Sequence, residues 1–202
     1  MLMDARSSAE IAKQLLPAGY VTGNYEGQDS YRPDQLGVAA RGSMSVDDGA
    51  GKLTTVTASV SQNDFSDHKV TDCATLQAVD PAVGGCQAIP ESDGSTVLVY
   101  REDQYRPDAV AGPTKGSYAN VAVRLFKDGS RVEIDATNYF DPLDDPHNKG
   151  WHVDPSRTDA LLSLDQLKTM VMDPRWSLTV ATEFGHQAKQ DLKPYVDNTQ
   201  KN

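Results

Sequence analysis

Residues 121–136 read VAVRLFKDGSRVEIDA, and this stretch decides the fold class. Asp128-Gly129 in its middle favours a type I′ turn, because both central residues of that turn need positive φ. A two-residue loop then sets which side chains share a face. The predicted pairs are Leu125–Val132, Val123–Ile134 and Val121–Ala136 on an apolar face, and Arg124–Glu133 on the other. The stretch therefore predicts an antiparallel hairpin with one buried side.

Two more hairpins follow from the same reading. Their turns are the acidic, glycine-rich run at 47–51 and the Asp93-Gly94 pair. Aspartate and glycine are turn residues, the first through bonds to nearby backbone amides and the second through positive φ. The predicted strands are 38–46 with 52–61, and 86–91 with 96–101.

Two helices are predicted, one near each end of the chain. Residues 7–16 begin with a capping box of Ser7 and Glu10. Residues 164–173 begin after Ser163, with Gln166 closing the box, and end at a proline. The later residues 175–187 fit no clear pattern.

The sequence thus predicts an α+β domain. We expect a largely antiparallel sheet of about six strands built from hairpins, with the N-terminal and C-terminal helices packed on one face. The opposite face should be wet and charged. We assign residues 1–187 to a single domain and residues 188–202 to a polar, flexible tail.

The composition excludes some classes of partner. The chain has 202 residues and a formal net charge of -10, with 23 Asp and only 6 Glu. Nucleic acid and anionic membranes attract clustered Lys and Arg, so neither is an expected partner. The apolar runs are far shorter than the roughly 20 residues that span a bilayer, so no membrane insertion is expected within this segment.

Cys73 and Cys86 are the two cysteines of the chain. Their spacing does not match a zinc-binding pattern. A disulfide between them would stabilise the fold by roughly 3 kcal/mol and would indicate an oxidising compartment. The alternative is a pair of buried free thiols in a cytosolic protein.

An acidic loop at 141–152 is the candidate metal site. Together with Asp135 it offers four carboxylates and two imidazoles, and Ca²⁺ is the expected ion because hard cations prefer oxygen. The alternative is a solvated turn whose prolines set the path of the chain. The candidate ligands are Asp141, Asp144, Asp145 and His147, with His152 and Asp135 nearby in the sequence.

Two segments carry a resemblance. LDQLK at 164–168 is followed by DPRW at 173–176, and a cysteine pair precedes an Asp-Gly hairpin. Together they resemble uncharacterised extracytoplasmic domains of actinobacterial lipoproteins and single-span membrane proteins. The resemblance implies a location outside the cytoplasmic membrane, with an N-terminal anchor upstream. The opening Met1-Leu2-Met3 is too short for a signal peptide, and we expect it to be an addition at the start of the domain. That family has no established reaction, so it implies no catalytic residues.

The expected function is a non-enzymatic binding or sensor module at the cell surface, with an unknown protein or small-molecule ligand. One alternative is a secreted hydrolase, metal-assisted through the Asp141–His152 loop. Another is a structural envelope protein. A cleft that gathers two carboxylates and a histidine would favour the enzyme, and a flat sheet face would favour the module.

Overall fold

The computed structural model describes residues 1–32, 37–62, 70–105, 112–140 and 152–199. All statements below refer to these residues, and the side chains of 30–38 and 152 are not described. The helices are α1 (Ala5–Leu15), α2 (Cys73–Val79), α3 (Leu164–Val171) and α4 (Thr182–Asp191). The strands are β1 (Val21–Arg32), β2 (Gly37–Asp47), β3 (Thr54–Gln62), β4 (Val83–Pro90), β5 (Thr96–Asp103), β6 (Gly112–Pro113), β7 (Tyr118–Leu125), β8 (Ser130–Thr137), β9 (His152–Val153) and β10 (Tyr195–Asp197).

The fold is α+β and is built on one large, mostly antiparallel sheet. Eight of the described strands form it in the order β10-β1-β2-β3-β8-β7-β5-β4. The three predicted hairpins are all present, as β2–β3, β4–β5 and β7–β8. The expected count of about six strands was wrong. Strands β1 and β10 account for the difference.

Strand β1 escapes sequence reasoning because its residues, VTGNYEGQDSYR, are polar and contain two glycines. Its antiparallel pairing with β2 forms it instead. Strand β10 then pairs with β1 in parallel, with Tyr25 opposite Tyr195. The segment predicted as a flexible tail from residue 188 overlaps the end of α4 and contains β10.

The register of the β7–β8 hairpin differs from the predicted one by one residue. The loop is longer than two residues: Gly129 N–H donates to the Phe126 carbonyl, and Phe126 N–H donates to that of Ser130. Gly129 has φ +84°, which fits a three-residue loop ending in a left-handed residue. A one-residue shift changes which side chains of the two strands share a face of the sheet. The observed pairs are Leu125–Arg131, Arg124–Val132, Val123–Glu133, Ala122–Ile134, Val121–Asp135 and Asn120–Ala136.

Helices α1 and α3 pack on one face of the sheet, α4 packs against α1, and together they bury the main core. The strands contribute small and branched residues to it, including Val56, Val60 and Ile134. Helix α3 contributes the fully buried Leu167, and the partly buried Phe184 of α4 packs against this core. The two predicted helices, α1 and α3, therefore lie on one face of the sheet as expected. The prediction missed α4 and also α2, which packs on the opposite face.

Helix α1 lies unusually close to the sheet. Two glycines, Gly27 and Gly42, are paired across β1 and β2 beneath it. A Cβ at Gly42 would lie 2.1 Å from the Ala5 carbonyl oxygen and 2.8 Å from the Ala9 Cβ. Only glycine fits under the helix at this contact.

The helix caps were predicted with mixed success. Helix α1 begins earlier than predicted, because the Asp4 carboxylate accepts from the Ser7 amide at 2.7 Å, and Ser7 is itself buried inside the helix. The predicted box at α3 is confirmed, with Ser163 and Gln166 bonded reciprocally. Trp176 after this helix is buried and donates to the Met170 carbonyl at 2.7 Å, which anchors the chain where it leaves the helix.

Candidate functional site

The face of the sheet opposite α1 has two different halves. Over β4, β5 and β7 it is apolar, with Leu98 and Val123 in a second buried cluster. Leu76 of α2 packs against this cluster, and the Cys73–Cys86 disulfide joins α2 to β4 there. The predicted disulfide is thus present, and it holds α2 against the apolar half of this face.

Over β2, β3 and β8 the same face is polar and holds a cavity of about 470 Å³. No described helix covers this half. The lining residues come from five strands and their continuations: Ala39, Arg41, Thr55, Thr57, Ser59, Ser61, Glu102, Gln104, Ala119, Val121, Arg131, Glu133, Asp135, Thr137 and Tyr139. Such a volume is typical of small-molecule sites, although the lining is more polar than is usual. We refer to it as the sheet cavity.

Strand pairing explains why these residues meet. Residues directly opposite each other in neighbouring antiparallel strands share a face. Asp135 lies opposite Thr57 on one side and Val121 on the other. Every second residue of β3, from Thr55 to Ser61, therefore joins the odd-numbered residues of β8 in the cavity wall.

Hydroxyl groups of β2, β3 and β8 lie on the cavity side of the sheet. The buried Ser43 Oγ donates to Thr57 Oγ1 at 3.2 Å. Thr137 Oγ1 accepts from the Thr55 amide at 3.1 Å and so ties β8 to β3. The Ser61 Oγ is buried and has no hydrogen-bond partner among the described residues. A buried hydroxyl without a partner costs stability, and a bound ligand or water could satisfy it.

Charged groups of both signs face the cavity. They are the carboxylates of Glu102, Glu133 and Asp135 and the guanidinium groups of Arg41 and Arg131. Arg131 Nη2 lies 3.6 Å from Glu133 Oε2, and both side chains are partly exposed. With every group ionised, the described part of the wall therefore carries three negative and two positive charges.

Asp135 has the most unusual environment of the five. Removal from water raises its pKa to about 7, and the neighbouring carboxylates of Glu133 and Glu102 act in the same direction. The Arg41 guanidinium and a hydrogen bond with Thr57 oppose this rise. The group therefore exchanges its proton near neutral pH, which is a property common at binding and catalytic sites.

The predicted metal ligands cannot be placed relative to this site. Asp141, Asp144, Asp145 and His147 lie outside the described residues, as does the side chain of His152, so the Ca²⁺ hypothesis stays a prediction. Within the described part of the chain, the structure places no group of three His, Cys, Asp or Glu side chains so that they could hold a metal ion. Asp135, grouped with the acidic loop by sequence, lines the sheet cavity instead.

Sequence reasoning missed the sheet cavity, although a signal was present. Residues 54–62 alternate polar and apolar residues as TTVTASVSQ, and residues 131–137 alternate as RVEIDAT. Both runs predict strands with one polar face. The one-residue error in the hairpin register concealed the cavity, because it put Val121 and Val123 on the helix side of the sheet instead of beside Asp135 and Glu133.

Comparison with known proteins adds no relative. Scans against known protein families, curated proteins and solved structures give no significant match. Among the described residues, no helix is both long and apolar enough to cross a membrane.

Proposed function

We propose that this protein is an extracytoplasmic, non-enzymatic binding module whose ligand is a small polar molecule held in the sheet cavity. The observation that carries the proposal is the cavity itself. Hydroxyls, guanidinium groups and carboxylates from neighbouring strands converge on about 470 Å³, on the half of the face that no described helix covers. A rigid sheet supports such a constellation more firmly than loops do.

The disulfide supports the location. Cys73 and Cys86 are joined, and disulfides persist in oxidising compartments such as the bacterial periplasm and the cell surface. The resemblance to actinobacterial lipoprotein domains points the same way. Anchoring through an upstream segment belongs to this proposal as well.

A hydrolase is the second candidate, and one observation favours it. Asp135, with its pKa raised to about 7, lies two residues from Glu133 on the same face of β8. One protonated and one ionised carboxyl are the elements of general acid–base catalysis. The described lining lacks the histidine that we took as the mark of an enzyme, so we rank the binding module first.

A thermal-shift screen tests the proposal. The probes are a library of amino acids, mono- and disaccharides and nucleotides at millimolar concentration, added to the whole chain at pH 7.5. Ser59→Tyr places a large side chain in the cavity wall, and Gln87→Tyr places the same side chain on exposed strand β4 as the matched control.

We expect at least one compound to raise the melting temperature of the wild type and of Gln87→Tyr but not of Ser59→Tyr. Stabilisation by a ligand follows mass action, so the increase should grow with concentration. Equal stabilisation of both variants would place the binding elsewhere and contradict the proposal. Turnover of a hydrolysable library compound, lost in Glu133→Gln, would replace it with the hydrolase.

A further inference from the structure

The guanidinium groups and the carboxylates of the sheet cavity are distributed unevenly along the strands. Four successive rows of paired residues cross the cavity, about 6.7 Å apart since each strand residue advances about 3.3–3.4 Å. The first row contains Arg131 and Ser61, and the second contains Arg41, Ser59 and Glu133. The third contains Asp135 and Thr57, and the fourth contains Glu102 and Thr137.

Both guanidinium groups therefore start from the first two rows, and two of the three carboxylates start from the last two. The third carboxylate, that of Glu133, starts from the second row and lies 3.6 Å from the Arg131 guanidinium. Ser61 also lies at the guanidinium end, and its buried Oγ has no hydrogen-bond partner among the described residues. The donors of Arg131, Arg41 and Ser61 thus lie at one end, and the acceptors of Asp135 and Glu102 lie at the other.

We propose that the sheet cavity binds a small organic zwitterion, with its carboxylate against Arg131, Arg41 and Ser61 and its protonated amine against Asp135 and Glu102. This inference rests on the proposed function and specifies its ligand class. Guanidinium groups bind carboxylates through paired, charge-assisted hydrogen bonds. An ammonium group supplies three donors for carboxylates and threonine hydroxyls.

The remaining lining suits the carbon chain between the two charged ends. Ala119 and Val121 face the cavity from β7, and Ala39 faces it from β2. They give apolar contact without the large aromatic surface that an extended hydrophobic ligand would bury. A polyanion such as a nucleotide fits poorly, because three carboxylates outnumber two guanidinium groups in the described wall.

Proton exchange at Asp135 should also make binding of the ligand depend on pH. The charged and polar groups that act on Asp135 are Arg41 from β2, Thr57 from β3, Glu133 from β8, and Glu102 and Tyr100 from β5. The residue opposite it on β7 is the apolar Val121. An ammonium beside Asp135 favours its ionised form, so binding near pH 7 should release a proton and should weaken as the pH falls.

Titration calorimetry with three matched compounds tests the inference. They are 5-aminopentanoate, which carries both charges, pentylamine, which carries only the amine, and pentanoate, which carries only the carboxylate. The variants are Asp135→Asn, in the cavity, and Asp128→Asn, in the exposed hairpin turn outside it. Measurements at pH 8 and pH 6, in two buffers of different ionisation enthalpy, report the proton released.

We expect 5-aminopentanoate to bind at least tenfold more tightly than either single-charge compound at pH 8, with weaker binding at pH 6. Asp135→Asn should weaken this binding about tenfold and remove its pH dependence, and Asp128→Asn should change neither. Equal affinity for pentylamine, an unchanged affinity in Asp135→Asn, or no binding of any of the three would overturn the inference. If a sugar or nucleotide from the thermal-shift screen binds in a manner blocked by Ser59→Tyr, the proposed function stands and the zwitterion is wrong.

Discussion

Val121 and Asp135 lie directly opposite each other on β7 and β8, and both side chains line the sheet cavity. An apolar residue thus closes one side of a carboxylate that Thr57 contacts from the other. This arrangement limits the access of water to Asp135 and raises its pKa to about 7. The consequence is a specific dependence of stability on pH.

Asp135→Asn should stabilise the protein at neutral pH. Because the pKa of Asp135 is higher in the folded chain than the ordinary value of 3.8, the folded state binds a proton more tightly between pH 4 and 7. Wild-type stability from this group therefore falls as pH rises through that window and is constant above it. Asparagine avoids the loss, so urea unfolding should show a gain of about 1–3 kcal/mol at pH 8 and almost none at pH 4.

Asp128→Asn is the matched control, with the opposite sign. Hydrogen bonds from Ser130 lower the pKa of Asp128 in the exposed turn. Its contribution is present above the unfolded pKa and is lost as the pH falls through the folded pKa. The substitution should therefore destabilise the protein at pH 8 and have less effect at low pH. A stability gain of Asp135→Asn that did not vary with pH would contradict the assignment.

The observed hairpin register makes Arg124 a buried structural residue. Its guanidinium bonds to the Asp93 carboxylate and to Ser95 Oγ, and so fixes the β4–β5 turn against β7. Arg124→Met should cost about 1–3 kcal/mol in urea unfolding, because it breaks this network. Glu133→Gln should cost less than about 1 kcal/mol, since the Arg131–Glu133 pair is partly exposed. Similar small costs for both would support the two-residue loop instead.

The close approach of α1 to the sheet depends on Gly42. Gly42→Ala puts a Cβ 2.1 Å from the Ala5 carbonyl oxygen, so the helix must move away. We expect a loss of about 1–3 kcal/mol. Gly84→Ala is the control on edge strand β4, where the nearest heavy atom would be 4.0 Å away. It should change the free energy of unfolding by less than about 1 kcal/mol, and an equal loss in both variants would contradict the close contact.

The disulfide should stabilise the chain through the unfolded state. The cysteines are 13 residues apart, and closing a loop of about this length is worth roughly 3 kcal/mol. The double variant Cys73→Ala/Cys86→Ala should lose about 2–4 kcal/mol in urea unfolding. A reducing agent should destabilise the wild type comparably and leave the double variant unchanged. Mass spectrometry of unreduced protein that found two free thiols would contradict both the bond and the location drawn from it.

Local patterns predicted much of the fold. The three hairpin turns, the α3 capping box and the cysteine pair each depend on neighbours in sequence, and each is present. Strand β1 could not be found in this way, because its partners β2 and β10 stabilise it and its own residues are polar. The sheet cavity was not predicted for a different reason. Its prediction needs the exact loop length at Gly129, because a shift of one residue decides whether Val121 or Ala122 shares a face with Asp135.

The most direct test of the central claim is a two-dimensional ¹H–¹⁵N NMR titration with the compounds that raise the melting temperature. Our account predicts that the amides of Thr57, Ser59, Glu133 and Asp135 shift in a saturable manner and that Ser59→Tyr abolishes these shifts. Saturable shifts confined to residues outside the sheet cavity, for example to the acidic loop at 141–151, would contradict it.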